Sequence, residues 1–498
     1  MVLSMIDDGA QIVHYLGFVE NNCKKLMIVL RTIDNNDNND NNLFIAITFA
    51  PTEYLAFTSQ AKKFHLFERE IHEEFSINIQ GHPQLKAVRS ATTLSEEYQF
   101  YNITGDSVHQ VAVGPVHAGI IGPGHFRFNC MGERVAHLEI KLGYQHRGVE
   151  KLICKSCFDI TKLSNLMECV AGDSAVTNIL TFSELIESAF ELEKEGIITS
   201  DIKIIRTIAL ELERLSNHIG DLGALSGDVA FLPPDAYFGR MRGEFLNLLL
   251  LLSGNRFGKG LIRPAINFYK INLLDINYIE KKLNELLTEI KHVSELLFST
   301  QEIIDRFEGI GVIDNKTALD LGLVGVAARA SGVKYDVRKN FLPGYYSVLE
   351  KENKNITIQQ RLSGDVWSRA RIRYKEILDS ISIIKNMLEN LKSKTDYKTV
   401  EQSQDDSNFS SNYLLFKNKL QSKLLPSSAV IVAINEGWRG ELTHLMITDE
   451  KSKIIRYKIK DPSFHNWSGL AYAMRDQEIS DFPLCNKSFN LSYCGFDL

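Results

Sequence analysis

Three long stretches of this sequence repeat apolar residues at helical spacing, and they constrain the fold more than any other feature. They are residues 205–219, 279–297 and 377–391. In each stretch the apolar positions recur every three or four residues, as on the buried face of an amphipathic helix. Gly220 stands where the first helix is predicted to end. Because such helices bury their apolar faces against one another, the pattern predicts a helix bundle.

The segment before the bundle has the character of a small mixed domain. Residues 26–31 and 43–49 are rich in Ile, Val, Leu and Phe, which predicts two strands. Residues 34–42 between them are all Asn and Asp and predict a polar hairpin tip. Residues 67–75 predict a charged helix. Together these patterns predict a small α+β domain over residues 1–105.

The segment after the bundle returns to strands. Residues 392–412 are polar and poor in apolar anchors, which predicts a loop or linker. Residues 429–434 predict a buried strand. Residues 455–460 alternate apolar and basic side chains, which predicts a strand with one face exposed to solvent.

The composition excludes several classes of protein. With 56 Lys and Arg against 62 Asp and Glu, the net charge is -6, so nucleic acid is not a predicted partner. The densest apolar run, residues 245–252, is far shorter than the roughly 20 residues that cross a bilayer. Residues 1–10 lack the basic start of a signal peptide. Seven cysteines in 498 residues are not a disulfide framework, which indicates a reducing compartment such as the cytoplasm.

Three charged clusters each allow a structural and a functional interpretation. Residues 146–151 form either a solvated helix start or a polar cluster that tunes a buried redox or proton site. Glu211, Arg214 and His218 share one helical face, which favours a salt-bridged seam of the bundle. Residues 436–441 place two carboxylates and an arginine beside flexible glycines, as a salt-bridged loop would.

Two further patterns carry little functional weight. Cys154 and Cys157 form a Cys-x-x-Cys without a second pair at zinc spacing, so two incidental thiols are favoured. Residues 119–124 (GIIGPG) are the nearest approach to a glycine-rich nucleotide loop. Pro123 and the absence of a following helical pattern argue against one, so no NAD is predicted on this chain.

An ordered series of motifs makes the chain similar to a known family. Residues 114–121 (GPVHAGII) and 124–128 (GHFRF) resemble the opening of the large subunits of membrane-bound, formate-hydrogenlyase-type (group 4) [NiFe]-hydrogenases. Residues 146–151 (HRGVEK) resemble a motif that those subunits share with the quinone-site subunit of complex I. Residues 67–75 resemble the small complex I subunit that precedes it. The similarity continues through residues 329–336, 436–441 and 481–484.

The resemblance implies a fold and a domain division. The expected fold class is α+β, with a small complex I small-subunit-like domain over residues 1–105. A mainly helical, hydrogenase-large-subunit-like domain with flanking β segments would follow over residues 106–498.

The chain departs from the hydrogenases at the nickel site. Cys169 and Cys494 lie near the family's two Cys-x-x-Cys pairs but out of register, and an acidic residue of the family falls on Gly122. Neither a hydroxyl nor a bare Cα–H replaces a thiolate ligand of such a metal. The resemblance therefore implies no nickel and no hydrogenase activity. The four ligand positions fall on Ala171, Ser174, Ser492 and Gly495.

Complex I subunits use the vacated space for quinone, so the resemblance also implies a candidate quinone cavity. A histidine and a tyrosine associated with that site fall on Ile121 and Cys169 here. His117 and His125 flank the first position, and Cys169 replaces the tyrosine. Quinone reduction by the complex I geometry is therefore left open.

The remaining site residues are also implied by the resemblance. This chain offers no cluster-binding run of cysteines, so an iron–sulfur cluster would lie on a small partner subunit. His146, Arg147 and Glu150 would face that cluster. Convergent carboxylates around one arginine would make the vacated cavity a polar pocket for protons or a small acceptor. The predicted catalytic residues are Asp173, Glu436, Arg439 and Asp481.

The predicted function is that of a core subunit in a membrane-associated, ion-translocating oxidoreductase complex. The complex would lie on the cytoplasmic face of the cell membrane, with antiporter-like membrane subunits as further partners. No cofactor is expected to bind this chain directly, quinone excepted. A quinone-reducing complex I-like subunit and a non-catalytic scaffold of an ion-transporting complex are the alternatives.

Overall fold

A computed structural model describes most of the chain. The described ranges are 1–32, 42–89, 98–119, 121–155, 158–268, 271–354, 356–393 and 424–498. Nearly all of the predicted hairpin tip at 34–42 and of the predicted linker at 392–412 lies outside these ranges, as does Cys157.

The N-terminal region is built on an antiparallel sheet of three strands in the order β1–β2–β3. Its elements are α1 (Val2–Asp7), β1 (Gln11–Glu20), β2 (Cys23–Thr32), β3 (Asn42–Phe49), β4 (Glu53–Leu55), α2 (His65–Phe75) and β5 (Asn78–Gln80). The strands predicted at 26–31 and 43–49 and the helix at 67–75 are confirmed.

A second antiparallel sheet, β6–β7–β8, precedes the long helices. The elements are β6 (Val108–Val113), β7 (His125–Met131), β8 (Arg134–Lys141), α3 (Val149–Lys155), α4 (Ile160–Met167), α5 (Ala175–Ala189), α6 (Ser200–Asp228), α7 (Leu232–Ser253), β9 (Ile262–Arg263), β10 (Ile266–Asn267), α8 (Leu273–Ser299) and α9 (Gln301–Phe307).

Short helices, one long helix and a third antiparallel sheet, β11–β12–β13, complete the chain. They are α10 (Asn315–Leu321), α11 (Gly325–Ala330), α12 (Val337–Asn340), α13 (Tyr346–Lys351), α14 (Val366–Ser393), β11 (Val430–Gly437), β12 (Gly440–Thr448), β13 (Ile454–Lys460), α15 (Pro462–Ala473), α16 (Phe482–Phe489) and α17 (Tyr493–Phe496).

The three long helices predicted from periodicity are α6, α8 and α14, and they form a bundle with α5 and α7. The predicted end of the first helix is wrong, because α6 continues through Gly220 to Asp228. A Cβ added at Gly220 would lie 2.8 Å from Cδ of Arg242 on α7. Gly220 therefore lies where two helices approach closely, not at a helix end.

The N-terminal and C-terminal regions share one apolar core. Phe67 of α2 packs edge-on against Phe464 of α15, with ring centroids 5.2 Å apart, and β1 packs against β13. The buried cluster around these residues draws on both ends of the chain. The α+β fold class is confirmed, whereas the boundary near residue 105 stays a prediction.

The prediction that residues 455–460 form a strand with one face exposed to solvent is corrected by the structure. In β13 both Lys458 and Lys460 are buried, each 1% exposed. Nζ of Lys458 lies 2.6 Å from Glu70 and 3.0 Å from Glu150, and Lys460 lies over the ring of Phe67. The alternating pattern was correct, but α2 of the N-terminal region covers the face that carries the lysines. Lys458 meets two carboxylates, whereas Lys460 meets an aromatic face, and burial lowers the pKa of Lys460 well below its usual value.

Candidate functional site

Asp173 and Arg439, two of the predicted catalytic residues, form a bidentate ion pair. Nη1 and Nη2 of Arg439 lie 3.0 and 2.6 Å from the two carboxylate oxygens of Asp173. The Arg439 side chain is 6% exposed and that of Asp173 is 37% exposed. Burial opposes ionisation of Asp173, but the guanidinium outweighs it and lowers the pKa of the carboxyl group. The site therefore presents a charged, partly exposed carboxylate held by a buried cation.

A tight hairpin turn positions Arg439. Gly437 pairs with Gly440 at the end of β11 and β12, so Trp438 and Arg439 form the turn. The guanidinium lies over the indole ring of Trp438, 3.8 Å from its centroid. A Cβ added at Gly325 would lie 1.9 Å from the Arg439 carbonyl oxygen, so only glycine fits at the start of α11. Close packing against α11 therefore holds the turn in place.

The first pair of positions that the resemblance assigns to nickel ligands, Ala171 and Ser174, lies beside this turn. Ala171 is fully buried, and the turn that contains Ser174 leads into α5. The indole nitrogen of Trp438 donates to the carbonyl oxygen of Asp173 at 2.9 Å and to Oγ of Ser174 at 3.2 Å. The hydroxyl group of Ser174 is therefore an acceptor for a protein N–H group.

The second vacated pair is used to cap a helix. Oγ of Ser492 accepts a hydrogen bond from the backbone N–H of Gly495 at 2.9 Å and so caps α17. A Cβ added at Gly495 would lie 2.4 Å from a carboxylate oxygen of Asp461. A cysteine side chain cannot be accommodated there without movement of Asp461. The four positions together offer no thiolate, and their donor set does not fit nickel.

Arg147 joins the two vacated loops from the exposed side. Its guanidinium donates to the carbonyl oxygens of Cys169 at 2.8 Å, Val170 at 2.7 Å and Cys494 at 3.5 Å. Arg147 and the adjacent His146 are exposed. These two predicted cluster-facing residues therefore lie on a surface that a partner subunit can reach.

Glu150 does not belong to that surface, so its predicted contact with a partner is wrong. It is 4% exposed and accepts hydrogen bonds from Nζ of Lys458 and the backbone N–H of Ile459, both at 3.0 Å. Glu150 lies in the first turn of α3, and its side chain is buried. Its carboxylate therefore connects α3 to β13 through hydrogen bonds.

The three residues of the predicted quinone cavity lie in two separate segments, with His117 and His125 before and at the start of β7 and Cys169 after α4. Nε2 of His117 is 2.8 Å from the carbonyl oxygen of Gly124, and Nδ1 of His125 is 3.2 Å from that of Gly114. Burial lowers the pKa of His125. Cys169 is exposed. Two cavities of about 550 and 400 Å³ are lined by none of the three, so the quinone cavity stays a prediction.

Glu436 and Asp481 do not converge with Asp173 on Arg439, so the expected cluster of carboxylates is wrong for both. Glu436 accepts hydrogen bonds from Nη1 of Arg329 at 2.7 Å and from the backbone N–H of Val337 at 3.1 Å. Asp481 lies 3.6 Å from Nη2 of Arg306 at the start of α16. Glu436 lies within β11, whereas Arg439 lies in the turn, and the two side chains leave the hairpin in different directions. Burial, and next the Asp336 carboxylate, raise the pKa of Glu436.

A buried ion network lies behind the hairpin. Glu376 of α14 is bound by Arg329 at 2.8 Å, His218 at 2.9 Å and Arg214 at 3.2 Å. Arg214 also lies 3.4 Å from Glu211 on its own helix. The salt-bridged bundle seam predicted from three residues of α6 is therefore confirmed. Its partners on α11 and α14 were not predicted, because they are distant in sequence.

Comparison with known proteins identifies the family. A family model described as "Respiratory-chain NADH dehydrogenase, 49 Kd subunit" matches residues 228–497. NADH-quinone oxidoreductase subunit 4 of Thermus thermophilus is 31% identical over 379 residues, which are 74% of this chain and 89% of that protein. The chain belongs to this family of respiratory-chain NADH dehydrogenase subunits.

Hydrogenase subunits are also similar to this NADH dehydrogenase-family chain. Formate hydrogenlyase subunit 5 of Escherichia coli is 27% identical over 409 residues, and hydrogenase-4 component G of the same organism is 26% identical over 412. Each alignment covers 82% of this chain but only 66% and 64% of those proteins. The resemblance inferred from the motifs is confirmed. In the described part of the chain, no helix is both long and apolar enough to cross a membrane.

Sequence reasoning missed two glutamates of this NADH dehydrogenase-family chain, one partly buried and one buried. Glu184 lies on α5 and Glu213 on α6, and burial raises the pKa of each to about 7. A sequence signal was available, because Thr177, Thr181 and Glu184 recur at helical spacing. A polar stripe on a buried helix requires hydrogen-bond partners within the protein.

Proposed function

We propose that the chain is the core subunit of a membrane-associated, ion-translocating oxidoreductase complex that works without a nickel site. The names of its relatives describe subunits of NADH-quinone oxidoreductase and hydrogenase complexes. The observation that carries the proposal is the Asp173–Arg439 pair at the former nickel position. A charged, partly exposed carboxylate there supports proton handling, whereas a dry apolar filling would carry no such group.

Electrons would reach the site from a partner subunit. The surface around His146 and Arg147 borders both vacated loops, and it is the position proposed for a small iron–sulfur subunit. The complex would also contain antiporter-like membrane subunits and lie on the cytoplasmic face of the cell membrane. This chain carries a net charge of -6, so nucleic acid is not a proposed partner.

Quinone is the proposed acceptor class, because relatives are named NADH-quinone oxidoreductases. A quinone that takes two electrons and two protons becomes a quinol. His117, His125 and Cys169 are the candidate residues beside the ring, since two of them offer ring nitrogens and the third is exposed. The crevice that Asp173 lines measures about 10 Å³, too small for a quinone ring within this chain alone. The ring would therefore bind between this chain and the partner.

The deciding experiment measures electron transfer to a soluble quinone by the purified complex, whose iron–sulfur subunit is first reduced by dithionite and then freed of excess dithionite before quinone is added. We expect quinol to form at a rate that depends on this chain. Complex from cells that lack the chain is the control. A complex that assembles fully and yet reduces no quinone would favour the non-catalytic scaffold.

Nickel is expected to be absent from the purified complex. The four ligand positions carry no thiol, and one of them, Gly495, has no room for a cysteine side chain. Elemental analysis of complex from cells grown with added nickel measures this directly. Nickel at one atom per chain would contradict the assignment.

Replacing Arg147 by Met is expected to lower the reduction potential of the partner's nearest cluster by an amount on the order of tens of millivolts. A fixed cation stabilises the reduced, more negative cluster and so raises its potential. Redox titration followed by electron paramagnetic resonance measures the shift. Arg147→Lys keeps the charge and is the matched control. Equal potentials in the Met and Lys variants, in complexes that assemble, would contradict the placement of Arg147.

A further inference from the structure

The larger of the two cavities, about 550 Å³, lies where the N-terminal region meets the rest of the chain. Its walls come from α2 and the turn before it, from β8, and from α10 and α15. Small-molecule sites usually measure about 300–1,000 Å³, so the volume suits a small ligand. Neither Asp173 nor Arg439 lines this cavity, which is therefore separate from the candidate site.

Four cationic side chains line the cavity, and in the described part of the chain none of them forms an ion pair. They are Lys62, Lys63, Arg69 and Arg475. Glu139, the acidic residue of the lining among the described residues, is already bound by Nζ of Lys86 at 2.7 Å and by the hydroxyl group of Tyr98 at 2.8 Å. A chain with a net charge of -6 thus gathers unpaired cations around one cavity.

Arg69 is the most buried of these cations, with 7% of its side chain exposed. Its Nε donates to the carbonyl oxygen of Lys86 at 2.7 Å, and its Nη2 donates to that of Ala87 at 2.8 Å. Nη1 lies 3.3 Å from Nε2 of His65. These contacts orient the guanidinium but bring no negative charge to it. A buried cation without an anion lowers stability, so an anionic ligand in the cavity would supply the missing charge.

Lys63 also lacks an anionic partner. Its Nζ donates to the amide oxygen of Gln11 at 3.0 Å. Burial, and next the charge of Arg31, lower the pKa of Lys63 to about 8. Lys62 and Arg475 are exposed, so they can meet a ligand that enters from solvent. The cavity therefore has two cations in its interior and two within reach of bulk water.

Much of the remaining lining is apolar. Phe464, Trp467 and Tyr472 come from α15, and Leu138 and Ile140 come from β8. Aromatic and aliphatic surfaces of this kind favour the apolar part of a ligand, while the few charged groups fix its orientation. The lining as a whole suits a molecule with an anionic group at one end and an apolar body.

We propose that this cavity binds a small organic phosphate, a molecule with at least one phosphate group and an apolar or aromatic body. A phosphate group carries roughly two negative charges at neutral pH and several acceptor oxygens, which suits a set of cations better than a single carboxylate does. Arginine binds phosphate through paired N–H groups, and lysine binds it as a point charge. A nucleotide and a lipid with a phosphate headgroup share this chemistry.

Isothermal titration calorimetry of the purified full chain at low ionic strength tests the site with ADP, dihexanoyl phosphatidic acid, inorganic phosphate and adenosine. We expect ADP or the short lipid to bind, and the one that binds more tightly identifies the source of the ligand. Inorganic phosphate should bind more weakly because it has no apolar body, and adenosine should not bind. Failure of both organic phosphates to bind would overturn the proposal. Equal binding of ADP and adenosine would also overturn it, because the cations would then play no part.

Charge variants test whether the bound compound meets these cations. Arg69→Gln removes the buried charge and should weaken binding roughly tenfold or more, whereas Arg69→Lys keeps the charge and should lose less. Lys62→Gln combined with Arg475→Gln changes only exposed side chains, so the fold should be kept while binding weakens roughly threefold or more. The matched control is Lys451→Gln combined with Arg256→Gln, which removes two exposed cations outside the cavity. Parental affinity in both Arg69→Gln and the Lys62–Arg475 double variant would overturn the site.

A steric variant tests the location without a change of charge. Ala471 of α15 is partly buried and lines the cavity, so Ala471→Trp should fill part of it and weaken binding. Thermal unfolding gives a second readout, because a compound that binds the folded chain raises its melting temperature. We expect the better-binding organic phosphate to raise the melting temperature of the parent but not that of Ala471→Trp. An equal rise in both proteins would place the compound elsewhere on the chain and overturn the assignment.

Discussion

Replacing Glu376 by Gln is expected to lower the free energy of unfolding by about 3–5 kcal/mol. Glu376 is fully buried and is bound by Arg329, His218 and Arg214. Burial alone would raise its pKa, but Arg329 and His218 outweigh burial and hold the pKa well below the usual range. The variant therefore leaves buried cations without their shared anion.

Denaturant unfolding of the purified chain measures this loss. Glu389→Gln is the matched control, since it removes an exposed carboxylate from the same helix, α14. We expect the control to stay within about 0.5 kcal/mol of the parent, as surface substitutions usually do. If both variants lose the same amount, the network around Glu376 contributes nothing specific to stability.

The long helices were predictable because their signal is local. Periodicity along residues 205–219 reports which face of α6 is buried, whatever packs against it. The end of that helix was not predictable, since Gly220 is explained by Arg242 on another helix. The burial of Lys458 and Lys460 has the same origin, because their partners lie almost 400 residues away in sequence. The local sequence pattern predicts the helix or strand. Tertiary contacts decide where the helix ends and which side chains are buried.

The candidate site was predictable in part for the same reason. The motifs predicted that Asp173 and Arg439 line the same cavity, and the ion pair between them fits that expectation. The motifs did not show side-chain direction, so Glu436 was grouped with Arg439 although it turns towards Arg329. Glu213 and Glu184 were missed because no motif contains them. Glu184 is held by Asn435, which reaches α5 from β11.

Replacing Lys458 by Met is expected to lower the free energy of unfolding by about 3 kcal/mol or more at pH 7. Lys458 is the cation shared by Glu70 of the N-terminal region and Glu150 of α3. Met has a similar length and no charge, so the variant leaves the two carboxylates close together without that cation. Lys451→Met, in the exposed turn before β13, is the control. Chemical unfolding of the three proteins measures the difference.

The loss caused by Lys458→Met should depend on pH in a defined direction. Burial opposes ionisation of Glu70, but Arg89 and Lys458 outweigh it and hold its pKa well below the usual range. Such a group adds stability above its unfolded pKa of about 4.3, and that stability is lost as pH falls through the lower folded pKa. Without Lys458 the folded pKa of Glu70 rises, and the carboxyl group can accept a proton at mildly acidic pH. The gap between parent and variant should therefore be widest above about pH 5 and narrow below it. A gap that stays constant from pH 7 to pH 4 would mean that the loss comes from packing rather than from the unpaired carboxylates.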